Sequence, residues 1–275
     1  MIKKILVNAD DFGFSRGVNQ AILRAHRDGF LTHASLMANT EYFDEAVNEI
    51  VPEVPNLKIG VHITLTCGNA LSGENILAQN DRLNWTFVKL LLLRKTSKVL
   101  RSLEEEIESQ ILKIKNSGIE ISHIDGHEHV HIIPSINSIV RKLARRHGIP
   151  RVREINENVF ESFRFNGKTS SISNVIKLIL LKTLSIFNKN DNKIGFYCML
   201  NTCEINEENL FNFLKNSNSY EEVEIMLHPS IQGLDDKDYL KSLHPRFVIF
   251  FNDKFRTTEF ELCFNKNFEK YEPSL

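Results

Sequence analysis

The chain has 275 residues, 42% hydrophobic and 25% charged, with a formal net charge of −1. That apolar content supports a buried core and excludes wholesale disorder, and so balanced a charge gives no general attraction to nucleic acid, so no nucleic-acid partner is expected. Cys67, Cys198, Cys203 and Cys263 form no Cys-x-x-Cys pair, which reads as buried thiols of a reducing compartment rather than a disulfide framework or zinc knuckle. The opening MIKKILVNADD has an apolar stretch too short for a signal peptide, and a cytoplasmic protein is expected.

Residues 5–7 read as a buried strand leading into Asp10-Asp11. Adjacent carboxylates at the end of a buried strand repel each other unless a cation or a proton relieves them. Ser15, the apolar-periodic run 18–26 and Gly29 then read as loop, helix and helix end. Residues 57–65 are strand-like, and 71–94 lack clear periodicity until 87–93, as expected of an excursion over a sheet's rim. Residues 103–115 have helical spacing ending at Gly118, 119–124 read as a strand, and 134–147 as a helix closed by Gly148.

In 171–187, Ile172, Val175, Ile176, Ile179, Leu180, Leu184 and Phe187 recur at helical spacing. The run is too short to span a bilayer comfortably. It reads as a helical insertion at about 171–192, packed on the sheet, with a lid, a homodimer contact and a peripheral membrane helix as alternatives. Residues 188–193 read as a loop, and the tail after Phe268 is expected to fray. Alternating strands and helices argue for an α/β fold with a parallel sheet, either a (β/α) barrel or an open doubly wound sheet. In both, functional groups collect at the carboxyl ends of the strands, where Asp10, His62, Asp125 and His228 all fall.

The densest chemistry lies in HIDGHEHVHIIP, where residues 123–131 hold four histidines. A divalent cation accepts one carboxylate and two imidazoles, and Asp11, His62 and His127 supply that set. His62, in IGVHITLT, taken alone reads as a structural histidine; the two other motifs make it a ligand. Asp125, His127, His129 and His131 share parity, so an extended backbone points them to one face. His129 and His131 are then expected to line the substrate pocket or orient other groups. Asp10 is the candidate general base, close to the metal without competing as a ligand. His228, in EVEIMLHPS, is placed to protonate a leaving amine. Arg153 holds a catalytic carboxylate, contacts substrate, or forms a surface ion pair.

NADDFGFSRGVNQAI, GVHITLT, HIDGHEHVHIIP and MLHPS, in that order, resemble the YdjC-like carbohydrate deacetylases, a group with chitooligosaccharide deacetylases and hopanoid-biosynthesis deacetylase-like proteins. The resemblance runs from Ile2 to about Ser230 and implies one domain over 1–275, a distorted (β/α) barrel related to the polysaccharide deacetylases. It implies one divalent metal ion, Mg2+ or Zn2+, on Asp11, His62 and His127, with Asp10 as base, His228 as acid and Arg153 orienting the base. The implied reaction releases acetate from an N-acetylated sugar, an N-acetylglucosamine oligosaccharide or a glycolipid. A metal-dependent phosphoesterase and a non-catalytic sugar-binding homologue are the competing readings.

Overall fold

The computed structural model describes residues 1–73, 76–188 and 193–274. Its centre is a curled sheet of strands β1 (Lys4–Phe12), β2 (His33–Leu36), β3 (Lys58–Ile63), β4 (Ile121–Gly126), β5 (Arg151–Val152), β6 (Gly195–Tyr197), β7 (Glu222–Leu227) and β8 (Glu272–Pro273). Every pairing between them is parallel, in the order β5-β4-β3-β2-β1-β7-β6. β8 lies beside the start of β1, with Lys4 opposite Glu272. After Lys4 every residue of β1 is buried, as expected of a parallel strand covered on both faces.

One side chain measures the curl. Arg153, just past β5, donates to Asp10 of β1 at 2.8 Å and to Glu224 of β7 at 2.6 Å. Parallel strands lie about 4.8 Å apart, so a flat sheet would hold β5 and β1 roughly 19 Å apart. Rolling the sheet into a half-barrel brings both within reach of one guanidinium. The Phe196 N–H to Asn156 C=O bond, 3.1 Å, also links β6 to the segment following β5.

The helices that cover the sheet follow the sequence closely. α1 (Arg16–Asp28) buries Val18, Ala21, Ile22 and Ala25 at three- and four-residue spacing, and Ser15 caps it by accepting from the Val18 amide. α2 (Phe87–Leu92) sits on the rim. α3 (Ser97–Asn116) begins earlier than the apolar pattern suggests because Thr96 accepts from the Val99 amide. α4 (Pro134–His147) starts on a proline and ends at Gly148, whose φ of +71° suits the left-handed cap. Each buried Leu or Ile on such faces contributes about 1.5–3 kcal/mol relative to exposure.

α5 (Ile172–Ser185) is the expected helix of the insertion, capped by Ser171; residues 189–192 of that expectation lie outside the described residues. α6 (Pro245–Phe251) and α7 (Lys254–Leu262) follow β7. The expected fraying of the tail is overturned: the Glu272 amide donates to Lys3 C=O at 2.9 Å and Ser274 N–H to Ile5 C=O at 2.8 Å. Edge-on backbone groups of β1 supply those partners. Among the described residues, no helix is long and apolar enough to cross a membrane.

Candidate active site and metal centre

Asp10 and Asp11 fall within the last three residues of β1. Neighbours on a regular strand point to opposite faces, yet both line one cavity. The backbone explains this: Asp11 has φ +69°, and the β1–β2 register shifts between Ala9 and Phe12. The irregularity turns both carboxylates toward the mouth formed by the strands' carboxyl ends.

Asp11 Oδ1 lies 2.9 Å from His127 Nδ1 and 3.5 Å from His62 Nε2. One donor atom from each of the three residues falls within 4.8 Å of the others. His127 Nε2 and Asp11 Oδ2 are buried without a hydrogen-bond partner. One carboxylate with two imidazoles, all buried, fits a divalent cation such as Zn2+ or Mg2+. His62 Nδ1 bonds Asp125 Oδ1 at 2.7 Å, which turns Nε2 toward Asp11. A carboxylate behind a ligating histidine fixes its ring and raises its basicity.

Electrostatics follow from that arrangement. Burial opposes a charge on His62, but Asp125 and Asp10 override it and push its pKa up to about 10. Burial also opposes ionisation of Asp11, and His127, His62 and Arg256 nevertheless hold it well below the usual carboxylate range.

Asp10 is gripped from behind. Arg153 Nη2 and Nη1 reach its two oxygens at 2.8 Å each, and Asn8 Nδ2 donates to Oδ1 at 2.8 Å. The same guanidinium reaches Asp125 Oδ2 at 2.6 Å and Glu224 Oε1 at 2.6 Å. Ser35 Oγ donates to Asp125 Oδ2 at 2.6 Å, completing a buried lattice. The expectation that Arg153 contacts substrate is corrected: it is fully buried, committed to three carboxylates and absent from the cavity wall.

The shared parity of the histidine run fails as well. β4 ends at Gly126, and Glu128 and His129 take left-handed φ values of +51° and +59°. His127 and His129 line the cavity, whereas His131 turns into the core and is corrected as a pocket residue. Burial pushes the His131 pKa down to about 3. His123 also belongs to the interior: a Cβ at Gly60 would lie 2.4 Å from its ring.

His228 follows β7, whose Leu227 pairs with Ala9 of β1, so it lines the same cavity beside Asp10. Its amide donates to Glu259 Oε2 at 2.5 Å, and its Nδ1 stands 3.5 Å from the same oxygen. The structure therefore gathers Asp10, Asp11, His62, His127, His129 and His228 around one cavity of about 490 Å³. A larger depression, about 830 Å³, lies at the strands' amino ends against Lys58, Ile121 and Arg151, and holds none of the donor set.

A family model described as YdjC-like protein matches residues 4–271. The chain belongs to that family. It is 31% identical over 238 residues to a carbohydrate deacetylase of Clostridium beijerinckii, covering 85% of this chain and 83% of the relative. It is 40% identical over 149 residues to a carbohydrate deacetylase of Brevibacillus brevis, covering 54% of this chain and 58% of the relative, so that match spans little more than half of either. The fold is shared with a proposed cellobiose-phosphate cleavage protein of Enterococcus faecalis V583, with a TM-score of 0.69, 22% identity, and coverage of 100% of this chain and 97% of that one.

In this YdjC-like chain two functional candidates escape the motifs, Arg256 and Glu259 of α7. Arg256 Nη1 stands 3.5 Å from Asp11 Oδ2, and its guanidinium lies 4.2 Å over the Phe250 ring. Glu259 backs His228. Both lie in KFRTTEFEL, which reads as an ordinary charged helix; the three-residue interval that puts them on one face is a weak signal alone.

Proposed function

We propose that this chain is a metal-dependent carbohydrate N-deacetylase. The carrying observation is that Asp11, His62 and His127 converge in one cavity that Asp10 and His228, at the ends of the adjacent strands β1 and β7, also line. The carbohydrate deacetylases among its relatives support the reaction class. A divalent cation held by the three ligands, Mg2+ or Zn2+, supplies Lewis acidity toward an amide carbonyl and toward water. Asp10, fixed by Arg153, takes a proton from the attacking water. His228 gives a proton to the sugar nitrogen as the C–N bond breaks, leaving acetate and a free amine. His129 borders the bound sugar.

The substrate we infer is an N-acetylated sugar with an apolar attachment, such as an N-acetylglucosaminyl glycolipid, with N-acetylglucosamine oligosaccharides as the alternative. Phe87, Ile176, Leu180, Phe247 and Phe250 wall the cavity. The elements that carry them also expose Val88, Leu92, Ile172, Ile179 and Ile249, each more than half accessible. Exposed apolar residues clustered at a cavity's rim mark an interaction surface, and peripheral contact with a membrane suits them better than a homodimer because Lys89 and Lys177 stand among them. The four free cysteines support a reducing compartment such as the cytoplasm.

Acetate release from N-acetylglucosamine oligosaccharides and from an N-acetylglucosaminyl lipid, measured with and without chelator, tests the reading. Release should stop on chelation and in Asp11→Asn and His127→Ala. Full activity in either variant without metal overturns it.

A further inference from the structure

The cavity wall carries a second donor group of different chemical character. Cys203, His228 and Glu259 each present one donor atom, and all three atoms lie within 4.8 Å of one another. They come from separate stretches: the turn after β6, the residue after β7, and α7. Zinc bonds of about 2.0–2.3 Å in a tetrahedron hold donors about 3.3–3.6 Å apart. His228 Nδ1 and Glu259 Oε2 already stand 3.5 Å apart, and the thiol needs a shift of at most about 1.5 Å.

Two buried atoms in this group, His228 Nδ1 and Glu259 Oε1, have no hydrogen-bond partner. Their residues are 8% and 1% exposed. Cys203 lines the cavity, so an ion entering it meets the sulfur. On ligation a thiolate and Glu259 supply two negative charges to the ion, which offset the neighbouring Arg256 and Lys177. Burial and Glu259 push the Cys203 thiol up, so the sulfur holds its proton until a metal displaces it.

We propose that Cys203, His228 and Glu259 form a second, inhibitory site for zinc or a comparably soft divalent cation. The Asp11 set contains no sulfur, whereas a thiolate selects zinc and cadmium over magnesium and manganese. The Cys203 group therefore discriminates against magnesium, whereas the Asp11 set suits either ion. Binding breaks the Cys203 S–H bond, forms a metal–sulfur bond and releases the proton to solvent. A cation on His228 Nδ1 keeps the ring from taking up the second proton that makes it an imidazolium, the form that can give a proton to the leaving amine. The inhibitory role rests on the acid assignment of His228 made above; the metal site does not.

The test uses the intact chain, stripped of metal and titrated with Co2+ alone. Thiolate ligation produces sulfur-to-cobalt charge-transfer absorption in the near ultraviolet, which the Asp11 set cannot give. A second equivalent should bind with that band, Zn2+ should displace it, and it should vanish in Cys203→Ser and Cys203→Ala but persist in Cys67→Ser. Zn2+ should also inhibit acetate release by the Mg2+-loaded protein, with the Cys203 variants at least about tenfold less sensitive relative to their own zinc-free rates. Absence of the band at saturating Co2+ overturns the site, as does a band unchanged in both Cys203 variants; in wild type that reading needs no variant to fold. Inhibition equal in wild type and Cys203 variants overturns the inhibitory role. The optical titration requires no turnover, so a chain that binds Co2+ through sulfur yet releases no acetate refutes the deacetylase reading and leaves the site standing.

Discussion

Two buried arginines flank the site, and they are held in opposite ways. Arg153 is saturated: Nε meets Glu224 at 2.6 Å, and Nη1 and Nη2 meet Asp10 at 2.8 Å each. Arg256 is equally buried, yet none of its guanidinium nitrogens makes a hydrogen bond. It rests on the Phe250 and Phe251 rings at 4.2 and 5.0 Å and stands 3.5 Å from Asp11. A cation locked by three carboxylates fixes geometry; one resting on aromatic faces keeps donors in reserve beside Asp11. The first is a strut of the half-barrel, and the second is free to change partners.

The largest expected effect comes from breaking the strut. Arg153→Met removes the cation shared by Asp10, Asp125 and Glu224, of which Glu224 keeps Arg151 as a second arginine partner, and removing one side of a buried ion pair costs about 3–5 kcal/mol. Urea unfolding should show that loss, and an unchanged midpoint would refute the strut.

Glu157 offers a buried charge with neither kind of arginine. It accepts from Ser162 Oγ at 2.6 Å and from the Met199 amide at 2.7 Å, and burial raises its pKa from 4.5 to about 7. Because the folded value is the higher one, its contribution is fully present below pH 4.5 and is lost as pH rises through about 7. The loss is up to roughly 3 kcal/mol. Unfolding free energies measured across that window should fall in wild type and lack this component in Glu157→Gln. Parallel pH dependence in both would show that hydrogen bonds alone keep the group ionised.

Arg256→Met should cost less stability, about 1 kcal/mol, since no hydrogen bond is lost and the apolar stem keeps its packing. Turnover should still drop by about tenfold or more through the lost charge beside Asp11. Stability loss equal to that of Arg153→Met would erase the distinction between the two arginines. On the rim, far from both, Ile172→Ser with Ile176→Ser should change stability within about 0.5 kcal/mol. Cosedimentation with anionic vesicles should decrease; unaltered binding would leave the apolar rim without a membrane role.

What could be read before the fold was known tracks how local each signal is. Asp10, Asp11, His62, His127 and His228 stand at strand ends in short distinctive runs, so periodicity placed them at one mouth. The position of Asp125 was legible, but its hold on His62 was not, because that hydrogen bond joins neighbouring strands. The parity argument over 125–131 failed since the left-handed Glu128 and His129 break an extended backbone. Arg256 and Glu259 gave no motif because their meaning comes from Asp11 and His228, far away in sequence. β2, only four residues long, offered too little pattern to see.

The pairing of β8 with β1 joins Lys4 to Glu272. Closing so long a loop directly carries an entropic cost of about 5 kcal/mol before any contact repays it. That contact is thus expected to form late, after the intervening strands have shortened the effective loop. Until then the start of β1 exposes unpaired backbone groups along one side, a temporary edge in the middle of the sheet that is open to misassembly during folding.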